Sequence, residues 1–175
     1  SKSITSMVLG LAVQDGVIPS IDAKVKDYWH AFDTTSVYAG PYTDEITFRQ
    51  LSNMTCGMAT VRSYGLPYFD PCNVKPGTEH HYHNDPPQAL ARALTYLYGK
   101  TLQEVLQEKA LNYMNARMEW EAPMWETTIK AANGKTVAVN YGYSHTWWTA
   151  QDIARVGHLY LNKGGWNGKQ ILPKS

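Results

Sequence analysis

The stretch PGTEHHYHND, residues 76–85, raises the question of a metal site, because it holds three histidines and two carboxylates within ten positions. His81 and His83 are two positions apart and would share one face of an extended strand, where Glu79 or Asp85 could complete a ligand set. The sequence contains no His-Glu-x-x-His helix and no distant histidine-rich segment. We therefore expect no metal here, and we interpret the histidines as part of a partly solvated loop.

Tyr82 and Asn84 are then the residues of this stretch that need an explanation. They are also two positions apart, so on an extended segment both side chains would face the same way. A single Tyr-x-Asn pattern is weak evidence, since Tyr113 and Asn115 form a second one in the same chain. Only the pattern at Tyr82 has a Pro-Gly approach before it and a helix signal after it.

A helix is predicted directly after Asn84. Asp85 is expected to be its N-cap, residues 86–87 are prolines that fit a first helical turn, and Gln88 would complete a capping box. Gly99 provides the stop signal. The apolar positions that define the buried face are Leu90, Leu94 and Leu97.

On either side of this stretch, similar signals predict further helices and two hairpins. Apolar residues at helical spacing predict a helix from the start of the chain to residues 15–16. Thr-x-x-Gln, Thr-x-x-Glu and Thr-x-x-Asp patterns predict capped helices at 47–50, 101–104 and 149–152, with a short amphipathic piece around Val25, Tyr28 and Trp29. Two-residue hairpin turns are expected at Asn133-Gly134 and Asn167-Gly168, and 57–77 is interpreted as an ordered loop.

Bulk composition indicates one folded domain. The chain has 175 residues, is 43% hydrophobic and 18% charged, and carries a net charge of +1 with no basic run. A nucleic-acid partner is therefore not indicated, and no apolar stretch approaches the roughly 18 residues that a membrane helix requires. Cys56 and Cys72 are too few for a four-thiolate zinc site; a disulfide and two buried thiols are both open.

The order of these motifs resembles the serine β-lactamase and penicillin-binding protein family, in the branch that contains class C β-lactamases, family VIII esterases and 6-aminohexanoate-dimer hydrolases. SKS at 1–3 and its helix resemble the Ser-x-x-Lys helix, and ITFRQLSNMTCG at 46–57 resembles the segment that ends in Thr-Ser-Gly. Residues 82–84 resemble the Tyr-x-Asn motif. The segments 149–155 and 159–173 are similar to those that precede the last catalytic motif.

The resemblance implies a site made of Lys2, Tyr82 and Asn84. A serine hydroxyl must lose its proton to a base as it attacks a carbonyl, and lysine and tyrosine can supply that base together. By the resemblance, Lys2 is the motif lysine and Tyr82 is the general base and later the acid. Asn84 would orient the lysine and the substrate. No metal or organic cofactor is implied, and the partner would be a small-molecule acyl substrate: an ester, an amide, a β-lactam or a peptidoglycan peptide.

Two parts of the family pattern are absent from the sequence. A Ser-x-x-Lys motif that ends at Lys2 would place its serine two residues before Ser1, and the Lys-Thr-Gly or His-x-Gly motif is missing, since residues 135–137 lack the glycine. We therefore expect residues 1–175 to be a single, truncated portion of a β-lactamase/transpeptidase-like domain. The parent would be α+β, and this chain mainly α with small β-hairpins.

The function implied for the parent is hydrolysis through an acyl-serine intermediate. The alternative is a catalytically inactive, penicillin-binding-protein-like binding module, which Cys56 in place of the serine of Thr-Ser-Gly leaves open. A periplasmic or extracellular bacterial location is implied by the resemblance, with a cytoplasmic one left open.

Overall fold

The computed structural model describes residues 1–34, 40–57, 59–60, 69–70, 74–122 and 128–174 of the chain. Helices contribute most of its regular structure. They are α1 (Lys2–Gln14), α2 (Val25–Tyr28), α3 (Ala31–Thr34), α4 (Phe48–Ser52), α5 (Asp85–Tyr98), α6 (Leu102–Lys109) and α7 (Ala150–Leu161), with 3-10 turns at Thr43–Glu45 and Leu111–Met114.

Short strands form separate antiparallel pairs between and after the helices. β1 (Ala59–Thr60) pairs with β2 (Phe69–Asp70), and β3 (Glu119–Trp120) pairs with β6 (Thr146–Trp147). β4 (Thr128–Lys130) pairs with β5 (Thr136–Ala138), and β7 (Gly165–Trp166) pairs with β8 (Lys169–Gln170). The β3–β6 pair brings together segments that lie on either side of the β4–β5 hairpin.

The core is formed where α1 crosses α5, α6 and α4. The predicted apolar face of α1 is buried, with Val8 and Ala12 fully enclosed, and Leu90 and Leu94 of α5 are fully enclosed beside it. Burying a valine or leucine side chain is worth about 1.5–3 kcal/mol. The helices α1 and α5 are therefore packed firmly against each other.

The predicted helix caps are confirmed in most places. Thr47 and Gln50 form a full capping box at α4, and Thr101 and Glu104 form one at α6. Thr149 accepts the Asp152 amide hydrogen at α7. Gly99 ends α5 with a φ of +61°, a left-handed conformation that glycine adopts without steric cost.

The prediction for the start of α5 is wrong. Asn84, not Asp85, is the N-cap, and no side chain caps the helix. The physical reason is that the amides a cap would bind belong to Pro86 and Pro87, which have no N–H. Gln88 does not complete a capping box either, because its side chain bonds to residues 140 and 142 instead.

Of the two hairpin turns, one is confirmed and one is longer than predicted. Asn167 and Gly168 both have positive φ in a two-residue turn between paired Trp166 and Lys169. In the β4–β5 hairpin the Ala131 N–H donates to the Lys135 carbonyl at 2.8 Å, which leaves three residues in the turn.

The structure describes the predicted loop and the two cysteines only in part. The loop at 57–77 lies largely outside the described residues, and so does Cys72, while Cys56 is buried.

Among the described helices, none combines the length and the apolar character that crossing a bilayer would need.

Candidate active site

Lys2 lies in the first turn of α1, and its ammonium group contacts both residues of the Tyr-x-Asn motif. Lys2 Nζ donates a hydrogen bond to Asn84 Oδ1 at 2.9 Å, across 82 positions of sequence. The same Nζ lies 4.5 Å from the centroid of the Tyr82 ring. The predicted approach of Lys2 and Tyr82 is therefore observed, with the ammonium over the ring face, a geometry that attracts a cation to an aromatic ring.

Tyr82 projects into solvent from a backbone that is tied down. Its side chain is 72% exposed, the largest value among the exposed aromatic residues that the structure describes. The segment before it is bound to the turn that follows α4, since the Gly77 N–H donates to the Thr55 carbonyl at 2.7 Å and the His81 N–H to the Met54 carbonyl at 3.2 Å. The phenol is thus placed at the surface by a fixed segment, where a ligand can reach it.

The second Tyr-x-Asn pattern lies elsewhere. Tyr113 belongs to the 3-10 turn after α6, and its ring is covered by Lys169, whose Nζ lies 3.5 Å from the ring centroid. Of the two patterns, only the one at Tyr82 contacts Lys2.

The histidines of the opening stretch have local partners. His81 Nε2 lies 2.8 Å from Glu79 Oε2, and His83 Nδ1 lies 3.1 Å from Asp85 Oδ2 and accepts the Asp85 amide hydrogen at 3.0 Å. Within the described ranges, no group of three or more histidine, cysteine or carboxylate side chains is placed to hold a metal.

Tyr143 is a neighbour of Lys2 that the sequence did not reveal. Its ring centroid lies 5.6 Å from Lys2 Nζ, so the ammonium has an aromatic ring from each of two distant segments near it. The Tyr143 ring also packs edge-on against Tyr141. The local sequence YGYS, residues 141–144, matches no pattern that singles it out, and only the fold brings it to this site.

The segment that carries Tyr143 is fixed by buried hydrogen bonds. Gly142 is central: its carbonyl accepts a bond from Thr5 Oγ1 of α1 at 2.7 Å, and its N–H donates to Gln88 Oε1 of α5 at 2.8 Å. Asn140 is bound to β3, because its Nδ2 donates to the Trp120 carbonyl at 2.7 Å. Buried polar groups that are fully paired in this way specify one arrangement of the chain.

Hydroxyl groups also occur at the edge of this site. Ser1 Oγ shares a hydrogen bond of 2.9 Å with Thr146 Oγ1 of β6. Ser3 is exposed, and its carbonyl accepts hydrogen bonds from Ser6 and Tyr160. Neither serine side chain forms a hydrogen bond with Lys2 Nζ or with Tyr82 in the part of the chain that the structure describes.

Comparison with known proteins identifies the family of this chain. A family model described as β-lactamase matches residues 1–173, which is nearly the whole chain. The chain belongs to the β-lactamase family. The comparison with curated protein sequences finds no significant match.

Solved structures of this family share the fold at low sequence identity. A Bacillus anthracis protein assigned as a 6-aminohexanoate-dimer hydrolase is 20% identical with a TM-score of 0.72, over 99% of this chain and 49% of that one. A penicillin-binding protein from Bacillus halodurans is 19% identical with a TM-score of 0.64, over 92% and 56%. A D-stereospecific amidohydrolase from Streptomyces sp. is 16% identical with a TM-score of 0.68, over 99% and 60%.

The predicted fold class is therefore confirmed. This member of the β-lactamase family has a β-lactamase/transpeptidase-like fold, of which the chain holds a mainly helical portion with small antiparallel strand pairs. The chain spans about half the length of the structures that it matches.

Proposed function

We propose that the protein is a serine hydrolase that cleaves an ester, an amide or a β-lactam through an acyl-serine intermediate. The observation that carries the proposal is the contact of Lys2 Nζ with Asn84 Oδ1 and with the Tyr82 ring. Three residue types that acyl transfer uses converge from two segments that are eighty or more positions apart. Membership of the β-lactamase family supports the same conclusion.

In this proposal the attacking serine stands three positions before Lys2, in a longer protein of which residues 1–175 form part of one domain. The relatives that the chain matches are about twice its length, which leaves room for that segment and for the strand that would complete an oxyanion hole. The location proposed for the longer protein is periplasmic or extracellular, as its family resemblance implies.

Each of the three residues has a proposed role. The Lys2 ammonium is oriented by Asn84 and supplies positive charge beside the nucleophile. The Tyr82 phenol oxygen has no hydrogen-bond partner among the described residues and is exposed. In its deprotonated form it would take the proton of the serine, and the phenol so formed would later give that proton to the leaving group. Asn84 keeps its amide nitrogen available for a carbonyl or amide group of the substrate.

Replacement of Tyr82 by Phe in the full-length protein tests the proposal. We expect the variant to lose the acid–base group but keep the ring under Lys2, so the acylation rate with nitrocefin or a p-nitrophenyl ester should fall by roughly a hundredfold to ten-thousandfold. The matched control is Tyr113→Phe, in the second Tyr-x-Asn pattern, which should acylate at the wild-type rate.

Acylation of Tyr82→Phe at the wild-type rate would refute the assigned role of Tyr82. A full-length protein that binds penicillin-like ligands without acylation or turnover would instead support the alternative of an inactive binding module.

A further inference from the structure

A groove lies on the surface formed by β3, β6 and the start of α7. It has a volume of about 540 Å³, and its lining includes Gln103, Glu119, Trp147, Trp148 and Asp152. This volume falls within the roughly 300–1,000 Å³ typical of small-molecule sites. Lys2, Tyr82 and Asn84 are not among the lining residues, so the groove is separate from the acyl-transfer site.

Trp147 gives this groove an aromatic surface that is both exposed and fixed. Its side chain is 59% exposed, and its Nε1 donates a hydrogen bond to Glu121 Oε1 at 2.9 Å. The bond sets the orientation of the indole ring, so little rotamer freedom would be lost when a ligand covers it. An exposed indole with one polar end anchored is suited to stack against the flat face of a ligand.

Polar side chains surround the indole. Glu119 is the cross-strand partner of Trp147 in the β3–β6 pair, so both side chains share one face. Gln103 Oε1 accepts the Trp120 N–H at 2.8 Å, which fixes the amide and leaves its NH₂ group as a donor. Hydrogen-bond donors and acceptors thus stand beside the aromatic surface.

The charged side chains at the groove include a small excess of carboxylates, because the Glu121 carboxylate, which accepts the Trp147 Nε1–H, lies beside Glu119. Asp152 is paired with Arg155 at 2.6 Å. Arg117 and Glu119, both lining the groove and both exposed, have opposite charges and no ion-pair partner among the residues that the structure describes. An excess of carboxylates disfavours an anionic ligand, and a ligand without net charge suits the groove if it can hydrogen-bond to these planar polar groups.

We propose that this groove binds a neutral oligosaccharide. The apolar C–H face of a sugar ring would stack on Trp147, and the hydroxyl groups would bond to the Gln103 amide, the Glu119 carboxylate and the Arg117 guanidinium. Thr146, the residue before Trp147, contacts Ser1, and successive side chains of a strand point to opposite faces. The groove therefore opens on the other side of β6 from Ser1, and the proposal stands independently of the acyl-transfer reaction.

Calorimetric titration of the full-length protein with chitotetraose and with cellotetraose tests the inference. We expect at least one of them to bind, and Trp147→Ala to weaken that binding by at least about tenfold, a loss that corresponds to about 1.4 kcal/mol. Tyr113→Ala removes an aromatic residue that is 47% exposed outside the groove and should leave the affinity unchanged. Glu119→Ala, also at an exposed position, should weaken binding by at least about threefold and serves as the readout if Trp147→Ala fails to fold.

Absence of binding of both sugars at millimolar concentration would overturn the inference, as would equal affinity in the wild type and Trp147→Ala. Binding of the zwitterion 6-aminohexanoate in place of the sugars, lost in Trp147→Ala, would also overturn it, because the groove would then recognise charge. Ester or β-lactam hydrolysis is measured with the same Trp147→Ala protein. Loss of sugar binding with unchanged hydrolysis would show that the substitution acts on the groove and not on the acyl-transfer site.

Discussion

At the scale of single residues, two buried threonines differ in what their hydroxyl groups contact. Both are fully enclosed in the core. Thr5 Oγ1 donates to the Gly142 carbonyl at 2.7 Å, whereas Thr95 Oγ1 has no hydrogen-bond partner in the described part of the chain. A buried polar group without a partner costs about 1–3 kcal/mol, and a buried hydrogen bond contributes about 1 kcal/mol.

Threonine-to-valine substitutions at these two positions should therefore have opposite effects. Thr95→Val removes an unpaired hydroxyl at nearly constant volume and should leave the free energy of unfolding unchanged or raise it by up to about 1 kcal/mol. Thr5→Val removes a hydrogen bond and leaves the Gly142 carbonyl unpaired, so the free energy of unfolding should fall by about 1–2 kcal/mol. Urea denaturation measures both, and a Thr95→Val protein less stable than Thr5→Val would contradict the expected order.

At the scale of elements, the start of α7 is stabilised by an ionised carboxylate. Thr149 Oγ1 donates to Asp152 Oδ2 at 2.8 Å, and Arg155 Nη1 lies 2.6 Å from Asp152 Oδ1. The hydrogen bond from Thr149, followed by the bond and charge of Arg155, lowers the pKa of Asp152 below its usual value of 3.8. A negative charge in the first turn also suits the helix dipole.

The lowered pKa of Asp152 predicts how the stability of the protein depends on pH. Because the pKa of Asp152 is lower in the folded state than in the unfolded state, its ionised form adds stability above the unfolded pKa, and that stability is lost as pH falls through the folded pKa. Asp152→Asn should thus be less stable than wild type at neutral pH, and the difference should shrink in acid. Thermal denaturation across this pH range measures it; a difference that persists undiminished well below pH 3.8 would contradict the assignment.

Most helices were predictable because their signals are local. A Thr-x-x-Gln or Thr-x-x-Glu cap is made within one turn, so the four residues that form it are adjacent in sequence. The start of α5 was not predicted correctly, since Gln88 bonds to a segment more than fifty positions away. A capping pattern cannot show that a distant backbone competes for the same side chain.

At the scale of the whole molecule, the segment at 140–143 joins α1 and α5 to β3. Gly142 lies so close to α5 that a Cβ added there would be 2.0 Å from the Pro87 carbonyl oxygen. That atom belongs to the backbone and cannot rotate away. The close approach is what allows the Gly142 N–H to reach Gln88 and its carbonyl to reach Thr5.

Gly142→Ala should consequently lower the free energy of unfolding by about 1–3 kcal/mol, the usual cost of overpacking. Gly157→Ala is the matched control, because a Cβ at this position of α7 meets nothing within 4 Å. There the change should raise stability by roughly 0.5–1 kcal/mol, as alanine favours a helix over glycine. Chemical denaturation compares the two, and equal effects of the two substitutions would show that the contact with Pro87 does not determine the stability.

The sequence alone predicted the family, most helices and the approach of Lys2 to the segment that carries Tyr82 and Asn84. Caps and apolar spacing act over a few residues, and the motifs keep their order along the chain, so both can be recognised without coordinates. Three features could be seen only in the folded chain: Tyr143 lies beside Lys2, Gln88 binds the 140–142 segment, and a groove forms at Trp147. The physical reason is that these contacts join segments that are 28 positions apart at the β3–β6 pair, 54 apart at Gln88 and 141 apart at Tyr143, and no local pattern encodes the packing that brings them together.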